Sequence, residues 1–316
     1  MMRIFRHYTD LPQDVRGCVV AIGNFDGVHL GHQAVINEAG ALARVLGKPW
    51  AVMTFEPHPT SVFKPDGEPF RLTVMRSKSH LIETLGVDDL LIQHFDADFA
   101  SLSAEDFVNE VIVNGLGASH VVAGFDFHFG KKRQGDCKTL LALGQSKGFG
   151  FTAIPEVTGE DGEIYSSTQI RECLKAGDVQ AAARILGRAF ELEGRVEHGD
   201  ARGRQLGFPT ANIHLHDYLR PATGVYAIRA GLDEGADTRW FDGVANFGRR
   251  PTFHSDDDIV LEAHLFDFDG DLYTKHLRVE LVERLRDERK FDGLEALKAQ
   301  IIKDCEKARE ILAKAG

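Results

Sequence analysis

The chain has 316 residues, 43% hydrophobic and 27% charged, which is ordinary for a globular protein of about two domains. Its formal net charge of −11 disfavours nucleic acid and anionic membranes as partners, but small phosphorylated ligands remain possible. No apolar run approaches the ~18 residues of a membrane span, and the N-terminus lacks the apolar core of a signal peptide.

The four cysteines are scattered, without a CxxC pair or regular spacing. They are Cys18, Cys137, Cys173 and Cys305. This distribution argues against a disulfide framework and against a zinc site. We therefore expect reduced thiols and a cytoplasmic protein. No pattern in the sequence indicates an oligomeric state.

Up to about residue 185, short apolar runs alternate with helical patterns. Five runs fit buried strands, namely "CVVAIGNF", "WAVMTF", "DLLIQHF", "HVVAGFD" and "GFTAIPEV". Apolar residues from Val35 to Leu46 recur at helical spacing, in a helix that Gly40 weakens by about 1 kcal/mol relative to Ala. Ser103 is the expected N-cap of another helix. This alternation predicts a parallel sheet covered on both sides, which binds ligands at the carboxyl ends of its strands.

From about residue 190 the hydrophobic period changes to two. Six segments predict an antiparallel β-barrel, namely "ELEGRVEH", "TANIHL", "GVYAIRAG", "RWFDGVANF", "IVLEAHLFDF" and "HLRVELVERL". Asp292, followed by Glu295 in a capping-box arrangement, predicts the start of one terminal helix. Two short helices are expected over 168–188. The prediction is an α/β protein with a parallel-sheet domain at 1–185, then a six-stranded antiparallel β-barrel with a terminal helix at 186–316.

The stretch "AIGNFDGVHLGH", residues 21–32, joins the first predicted strand to the first predicted helix. Its glycines let the backbone turn sharply, and the following helix N-terminus offers N–H donors and partial positive charge to an anion. His29 and His32 would point at one spot if the helix begins at or just before His29. The alternative is a capping histidine and a core histidine. Two histidines among glycines favour phosphate binding.

The turn matches neither the GxxxxGK[ST] loop nor the dinucleotide GxGxxG pattern, and "GFGFTA" at 148–153 is a weak match because it runs into a strand. "HLGH" resembles the HxGH signature of the nucleotidyltransferase superfamily, whose members transfer a nucleoside monophosphate and release pyrophosphate. The longer "GNFDGVHLGHQ" resembles one branch, the bifunctional bacterial riboflavin kinase/FAD synthetases. Further segments extend this resemblance over essentially the entire chain: "TFEPHP" (54–59), "RLT" (71–73), "FASLSAEDFV" (99–108), "VVAGFDFHFG" (121–130) and "SSTQIRE" (166–172).

The resemblance implies a Rossmann-like nucleotidyltransferase domain in which His29 and His32 bind the α- and β-phosphates of ATP. Further nucleotide contacts are expected at Gly23, Phe25 and Gly31. "SSTQIR" resembles the family's SSTxIR motif, which implies that Ser167, Thr168 and Arg171 hold the triphosphate from the far side. A guanidinium suits that role because it pairs bidentately with phosphate. Without the resemblance, Arg171 could equally be a surface arginine.

The flavin is expected beside two loops of the same domain. His58 stands between two prolines after a strand, a rigid position that suits a ligand contact, although a lone histidine there is more often a turn residue. The resemblance implies that "GFDFHFG" receives the flavin, with Phe127 or Phe129 beside the ring; either could equally be a core aromatic. Asp126 stands where many family members have Asn, so this position departs from the family pattern.

"GRVEHGDARGRQLGFPTANI", residues 194–213, suits a flexible arch over a charged ligand or a plain surface loop. The ATP contacts expected on it are Gly199, Arg202 and Gly207. "FPTAN" resembles the PTAN motif of riboflavin kinases, which implies that Thr210 and Asn212 supply neutral oxygens to Mg²⁺, a cation that takes few protein ligands beside substrate phosphates. Arg289 in "LRDERKF" is the flavin contact expected at this site.

Glu262 lies in the apolar segment "IVLEAHLF", where a carboxylate is costly to bury unless it is paired or functional. The resemblance implies that Glu262 is the general base that takes the proton of the ribityl 5′-hydroxyl. The alternative is an exposed glutamate on the barrel.

The resemblance implies an enzyme that phosphorylates riboflavin with ATP to FMN, and then transfers an adenylyl group from ATP to FMN to give FAD and pyrophosphate. Its expected ligands are ATP, riboflavin, FMN and Mg²⁺. One alternative is a flavin-sensing or carrier protein that kept the fold and lost turnover; missing motif residues would favour it, and all are present. Another is a cytidylyl- or pantetheine-type adenylyltransferase fused to an unrelated barrel, which does not predict PTAN.

Overall fold

The computed structural model describes residues 1–159, 162–197, 206–234, 237–249 and 259–315. By their contacts they form two compact units. The first unit comprises Met1–Glu68 and Val74–Ser166, and the second comprises Pro69–Thr73 and Ser167–Gly316. The domain boundary expected between residues 185 and 186 remains a prediction.

The first unit contains a six-stranded parallel sheet, which confirms the predicted architecture. Its strands are β1 (Arg3–Phe5), β2 (Val19–Ile22), β3 (Trp50–Glu56), β4 (Asp89–His94), β5 (His120–Gly124) and β6 (Gly150–Ile154). The strand order is β1-β4-β3-β2-β5-β6. The edge strand β1 was not predicted, because its 3 residues are too short and too exposed for a hydrophobic pattern.

Helices pack against both faces of this sheet. The α-helices of the first unit are α1 (Leu30–Leu46), α2 (Pro59–Phe63), α3 (Met75–Thr84), α4 (Ala97–Ser101), α5 (Ala104–Asp106) and α6 (Cys137–Lys147), of which α2, α4 and α5 contain no buried residue. Alternate residues of β2 enter different hydrophobic clusters, with Val19 and Ala21 in one and Val20 and Ile22 in the other. This division follows from the alternation of side chains along a strand.

Gly40 of α1 is required by packing. A Cβ atom at Gly40 would lie 2.7 Å from two carbons of the Trp50 ring, which is only 8% exposed. Glycine lowers the stability of the helix, but its missing side chain lets the Trp50 indole approach the helix backbone.

The helix predicted after Ser103 is present, but most of it has π geometry. The Ser103 hydroxyl accepts a hydrogen bond from the Asp106 N–H at 3.0 Å, which confirms the N-cap. After α5 the chain continues as a π-helix over Phe107–Leu116. Its buried side chains include Phe107, Val108, Val111 and Ile112. These apolar positions fit one face of either helix type, so periodicity does not distinguish them.

The second unit contains the predicted closed barrel of six antiparallel strands. They are β7 (Phe190–Glu197), β8 (Ala211–His214), β9 (Gly224–Glu234), β10 (Asp237–Arg249), β11 (Ile259–Leu265) and β12 (His276–Arg286), in the order β10-β11-β8-β7-β12-β9. Helices α7 (Ser167–Ala176) and α8 (Val179–Leu186) precede the barrel, as expected. The segment Pro69–Thr73 joins this unit through a parallel bridge between Arg71 and Tyr218.

The terminal helix α9 (Leu294–Lys314) packs its Ala308 and Leu312 side chains into a cluster with barrel residues. The predicted N-cap Asp292 is wrong. Gly293 occupies the N-cap with φ of 112°, and no side chain caps the helix there. Glycine adopts this conformation at little cost and so moves the helix start one residue further along the chain. Among the described residues, no helix combines the length and apolar character needed to cross a membrane.

Candidate functional site

The turn between β2 and α1 lies at the carboxyl edge of the parallel sheet. Residues 23–29 connect Ile22, the last residue of β2, to Leu30, the first residue of α1. The strand order reverses at β2, which lies between β3 and β5. Doubly wound sheets bind ligands in the crevice at such a reversal. The predicted phosphate-binding turn therefore lies where this fold class places its ligand.

The two histidines of the turn are in contact. His29 is the N-cap of α1, and its Nδ1 accepts a hydrogen bond from the His32 N–H at 3.3 Å. The two rings stack with centroids 3.6 Å apart at an interplanar angle of 24°. An Nδ1 acceptor places the proton of a neutral imidazole on Nε2, which makes Nε2 the donor atom of His29. His29 thus caps the helix, as the alternative interpretation expected, while holding a second imidazole beside the helix N-terminus.

The glycines of the turn make room for the protein's own rings. A Cβ atom at Gly31 would lie 3.0 Å from Cε1 and 3.1 Å from Nδ1 of His29, and one at Gly23 would lie 2.9 Å from the Phe25 ring. Phe25 in turn meets His32 edge-on, with centroids 5.4 Å apart. Gly23 and Gly31 therefore shape the site indirectly, by letting the Phe25 and His29 rings approach the backbone.

The backbone of the turn is held by side chains from other elements. The Asn24 carbonyl accepts hydrogen bonds from Lys78 Nζ at 2.7 Å and from Thr54 Oγ1 at 3.1 Å. At the other end, Gln33 Nε2 donates to the Val28 carbonyl at 3.0 Å. No sequence pattern indicates a role for Lys78. It lies outside the recognised motifs and 54 residues from its partner.

His58 also has a structural role. It is the N-cap of α2, and its Nδ1 accepts a hydrogen bond from the Thr60 N–H at 3.1 Å. The side chain is buried, with 8% exposure. His58 therefore holds the start of the short helix whose last residue, Phe63, is 66% exposed. Phe63 is an exposed aromatic residue that is not among the predicted site residues.

The predicted flavin loop after β5 has aromatic residues in different environments. Phe129 is 6% exposed and lies in the core, whereas Phe127 is half-buried and stacks on Phe129 with centroids 5.7 Å apart. Asp126 is exposed. Phe125, which is not among the predicted site residues, is 53% exposed. The structure thus makes Phe129 a packing residue and leaves Phe125 and Phe127 available at the surface.

The same loop is fastened at its end by two groups with shifted pKa values. Asp136 Oδ1 accepts hydrogen bonds from the N–H and the hydroxyl of Thr139, both at 2.8 Å, and these bonds lower the pKa of the Asp136 carboxyl. The Cys137 thiol donates to the Gly124 and Phe125 carbonyls at 3.4 Å, and burial raises its pKa. Cys137 is therefore protonated at neutral pH and connects α6 to the end of β5.

The SSTxIR-like motif forms the first turns of α7 in the second unit. Ser167 is the first helical residue and is half-buried, whereas Thr168 is exposed. The Arg171 Nε donates to the Phe70 carbonyl at 2.9 Å, and its Cζ lies 5.5 Å from the Phe70 ring centroid. The segment Pro69–Thr73 therefore orients the guanidinium.

A polar row crosses four strands of the barrel. Direct register partners are Asn246 with Glu262, Glu262 with Asn212, and Asn212 with Glu197. Partners in an antiparallel sheet present their side chains on the same face, so these four groups lie side by side. Glu262 is half-buried and Asn212 is 4% exposed. The neighbouring Leu261, in contrast, is fully buried on the opposite face.

This row fits the oxygen chemistry of a magnesium site. Asn212 contributes an amide oxygen next to the Glu262 carboxylate, and Thr210 lies just before β8. Within the described ranges, no group of three or more His, Cys, Asp or Glu side chains could hold a metal. Thr210 and Asn212 offer neutral side-chain oxygens, a kind of ligand that Mg²⁺ accepts when it is bound together with phosphates.

The structure also describes two further predicted kinase residues, Gly207 and Arg289, and a histidine that was not predicted, His264. His264, two residues after Glu262, hydrogen-bonds through Nδ1 to the Pro209 carbonyl at 2.8 Å and so orients the segment before Thr210. Gly207 has φ of 88°, which glycine tolerates. Arg289 donates to the Gln300 side chain and lies 4.9 Å from the Phe291 ring centroid. Gly199 and Arg202 lie outside the described residues.

Comparison with known proteins gives matches over both halves of the chain. A family model described as FAD synthetase matches residues 11–169, and one described as riboflavin kinase matches residues 186–312. The bifunctional riboflavin kinase/FMN adenylyltransferase of Pseudomonas fluorescens is 44% identical over 312 residues, covering 99% of this chain and 98% of that protein. The protein of the same name from Bacillus subtilis (strain 168) is 43% identical, covering 92% of this chain and 91% of its own.

A solved structure has the same fold over nearly the full length. It is the crystal structure of a protein named macrolide-efflux protein from Streptococcus pneumoniae, with a TM-score of 0.84 and 31% sequence identity. The match covers 98% of both chains.

Proposed function

Because the chain belongs to the family of bifunctional riboflavin kinase/FMN adenylyltransferases, we propose that it converts riboflavin to FMN and FMN to FAD, using ATP in both steps. The observation that carries this proposal is that one chain contains both expected sites. Where the order of the parallel sheet reverses, the stacked rings of His29 and His32 lie at the N-terminus of α1. In the barrel, Glu262 is the direct register partner of Asn212. The relatives are named as transferases, which favours turnover over a silent flavin sensor.

In the kinase step, Glu262 is proposed as the general base. The ribityl 5′-hydroxyl gives its proton to a Glu262 carboxylate oxygen while the hydroxyl oxygen attacks the γ-phosphorus of ATP, and ADP leaves. Thr210 and Asn212 are the proposed holders of Mg²⁺, which when bound neutralises phosphate charge. Gly199, Arg202 and Gly207 are proposed on the nucleotide arch, and Arg289 is proposed at the flavin.

In the second step, an oxygen of the FMN phosphate attacks the α-phosphorus of a second ATP, and pyrophosphate leaves. His29 and His32 are proposed to donate to the phosphates, where their hydrogen bonds stabilise the charge that develops during transfer. Ser167, Thr168 and Arg171 are proposed as further triphosphate ligands, with Arg171 pairing through its guanidinium. No covalent enzyme intermediate is needed, because positioning and charge neutralisation suffice.

The flavin of this step is proposed to lie against His58, Asp126 and Phe127, with Phe129 supporting Phe127 from the core. The proposed sequence domains are 1–185 for adenylyl transfer and 186–316 for the kinase. We infer a cytoplasmic location from the scattered cysteines. The acidic net charge argues against nucleic acid and anionic membranes as partners, but it does not exclude small phosphorylated ligands held by local backbone N–H groups and Mg²⁺.

The proposal is tested by incubating the purified full-length chain with riboflavin, ATP and Mg²⁺ and identifying the flavins by chromatography. FMN should form first and FAD should follow, with release of ADP and then pyrophosphate. A parallel reaction started from FMN isolates the second step. Recovery of unchanged riboflavin and unchanged FMN from these reactions would refute both proposed activities.

A further inference from the structure

Lys78 places a positive charge in the interior of the first unit, and the steps proposed above do not use it. Lys78 lies on α3, and only 2% of its surface is exposed. Lysine is almost never fully buried unless it is paired, because taking an ammonium out of water is costly. Its Nζ donates to the Asn24 carbonyl at 2.7 Å, at the start of the turn that bears His29 and His32.

The Asn24 carbonyl is held by two side chains from different elements. Thr54 on β3 is fully buried and donates its hydroxyl to the same oxygen at 3.1 Å. A trans peptide is planar, with its carbonyl and N–H pointing in opposite directions. Lys78 and Thr54 therefore fix the direction of the Phe25 N–H, which points to the other side of the peptide unit.

The conformation of the turn explains why such support is needed. Phe25 has φ of 47° and Val28 has φ of 43°, a region that is unfavourable for residues other than glycine and most unfavourable for a β-branched side chain. Such conformations persist only where surrounding contacts determine them. Gln33 holds the end of the turn by donating a hydrogen bond to the Val28 carbonyl at 3.0 Å. Lys78 holds the start of the turn by donating to the Asn24 carbonyl.

We propose that Lys78 is a positioning residue for adenylyl transfer. Lys78 and Thr54 both donate to the Asn24 carbonyl and so fix the orientation of the peptide planes in the turn. This orientation sets the direction in which the N–H groups and the two histidines face the triphosphate. Lys78 acts through Asn24 and not on the reacting atoms. This inference rests on the function proposed above for the β2–α1 turn.

The test compares Lys78→Met with the matched control Lys48→Met in the full-length chain. Lys48 is exposed and follows α1 in the same unit, so both variants lose one positive charge. Lys78→Met should lower kcat for FAD synthesis from FMN roughly tenfold to a hundredfold at saturating ATP, because small misplacements of catalytic groups are costly. FMN synthesis from riboflavin should stay within twofold of wild type, and Lys48→Met should leave both rates unchanged.

Two further variants separate positioning from general stability. Lys78→Arg can still donate to the carbonyl and should recover part of the lost kcat. Thr54→Val removes the second donor to the Asn24 carbonyl. Because both donors share this acceptor, the fold-decrease of kcat in the double variant Lys78→Met/Thr54→Val should be smaller than the product of the fold-decreases in the two single variants. If Lys78→Met does not fold, Thr54→Val and Lys78→Arg carry the test through kcat measured below their thermal midpoints.

The proposal is overturned if Lys78→Met and Thr54→Val keep the wild-type kcat for FAD synthesis, or if their losses multiply independently. It is also overturned if Lys78→Arg is no better than Lys78→Met at a preserved thermal midpoint. Failure of the wild-type chain to make FAD from FMN is a different result, because it would refute the proposed adenylyl transfer itself.

Discussion

The two candidate sites are built in different ways. The β2–α1 turn draws its histidines, glycines and helix N-terminus from residues 21–33, one continuous stretch. The polar row of the barrel takes single residues from four strands, and register brings them together. A site made by a helix N-terminus is therefore almost a local property of the chain. A site made by register exists only when the barrel has closed.

The largest effect is expected at the barrel, where one side chain carries the proposed chemistry. Glu262→Gln keeps the size and the register of the row but removes the base. FMN formation from riboflavin should fall by roughly 10²–10⁴-fold, the usual contribution of general base catalysis. FAD formation from supplied FMN should persist, because it depends on the turn in the first unit. Both rates are measured by chromatography of the flavins.

The matched control is Glu310→Gln, which removes the same charge from an exposed position on α9. It should leave both activities unchanged. If Glu262→Gln abolished FAD formation from supplied FMN as well, the assignment of the two activities to separate sites would be refuted.

His32→Ala tests the turn. Removing the half-buried ring that stacks on His29 should lower the rate of FAD formation by roughly 10²–10³-fold, as losing one preorganised donor does elsewhere. Kinase activity should be spared. The control is His80→Ala, since His80 is an exposed histidine of α3. FAD output near the wild-type level would show that the imidazole of His32 has no role at the phosphates.

Much of the turn could be predicted from the sequence, because its determinants are neighbours along the chain. Alternating strands and helices predicted the parallel sheet, and the spacing of His29 and His32 predicted their convergence. The helix was expected to begin near His32, and α1 begins two residues earlier, at Leu30, because His29 occupies the N-cap. Local signals fail where a neighbour competes, as Gly293 does with Asp292 at the start of α9.

The long-range parts of both sites could not be predicted in this way. Lys78 and Asn24 are 54 residues apart in the sequence, and neither residue type predicts the hydrogen bond between them. The pairing of Glu262 with Asn212 and Asn246 requires the register of β8, β10 and β11, and a slip of one residue would move Glu262 to the opposite face. Resemblance to a family supplied candidate residues in the barrel, whereas their arrangement came only from the structure.

The smallest effect is expected from Gly31→Ala, which changes the turn without removing any functional group. Alanine has a higher helix propensity than glycine by about 1 kcal/mol, so the start of α1 should not be weakened. The new Cβ atom would, however, lie 3.0 Å from the His29 ring and 3.1 Å from the Tyr165 carbonyl oxygen. The ring must then shift by a few tenths of an ångström, and kcat for FAD formation should fall roughly threefold to tenfold.

Thermal unfolding and FAD kinetics of Gly31→Ala together distinguish the two roles of His29. A preserved midpoint with a lower kcat would mean that ring position matters for the reaction, as a phosphate donor requires. A preserved midpoint with an unchanged kcat would mean that His29 serves as the helix cap alone. FMN formation should be unaffected in either case, because the polar row of the barrel does not depend on this turn.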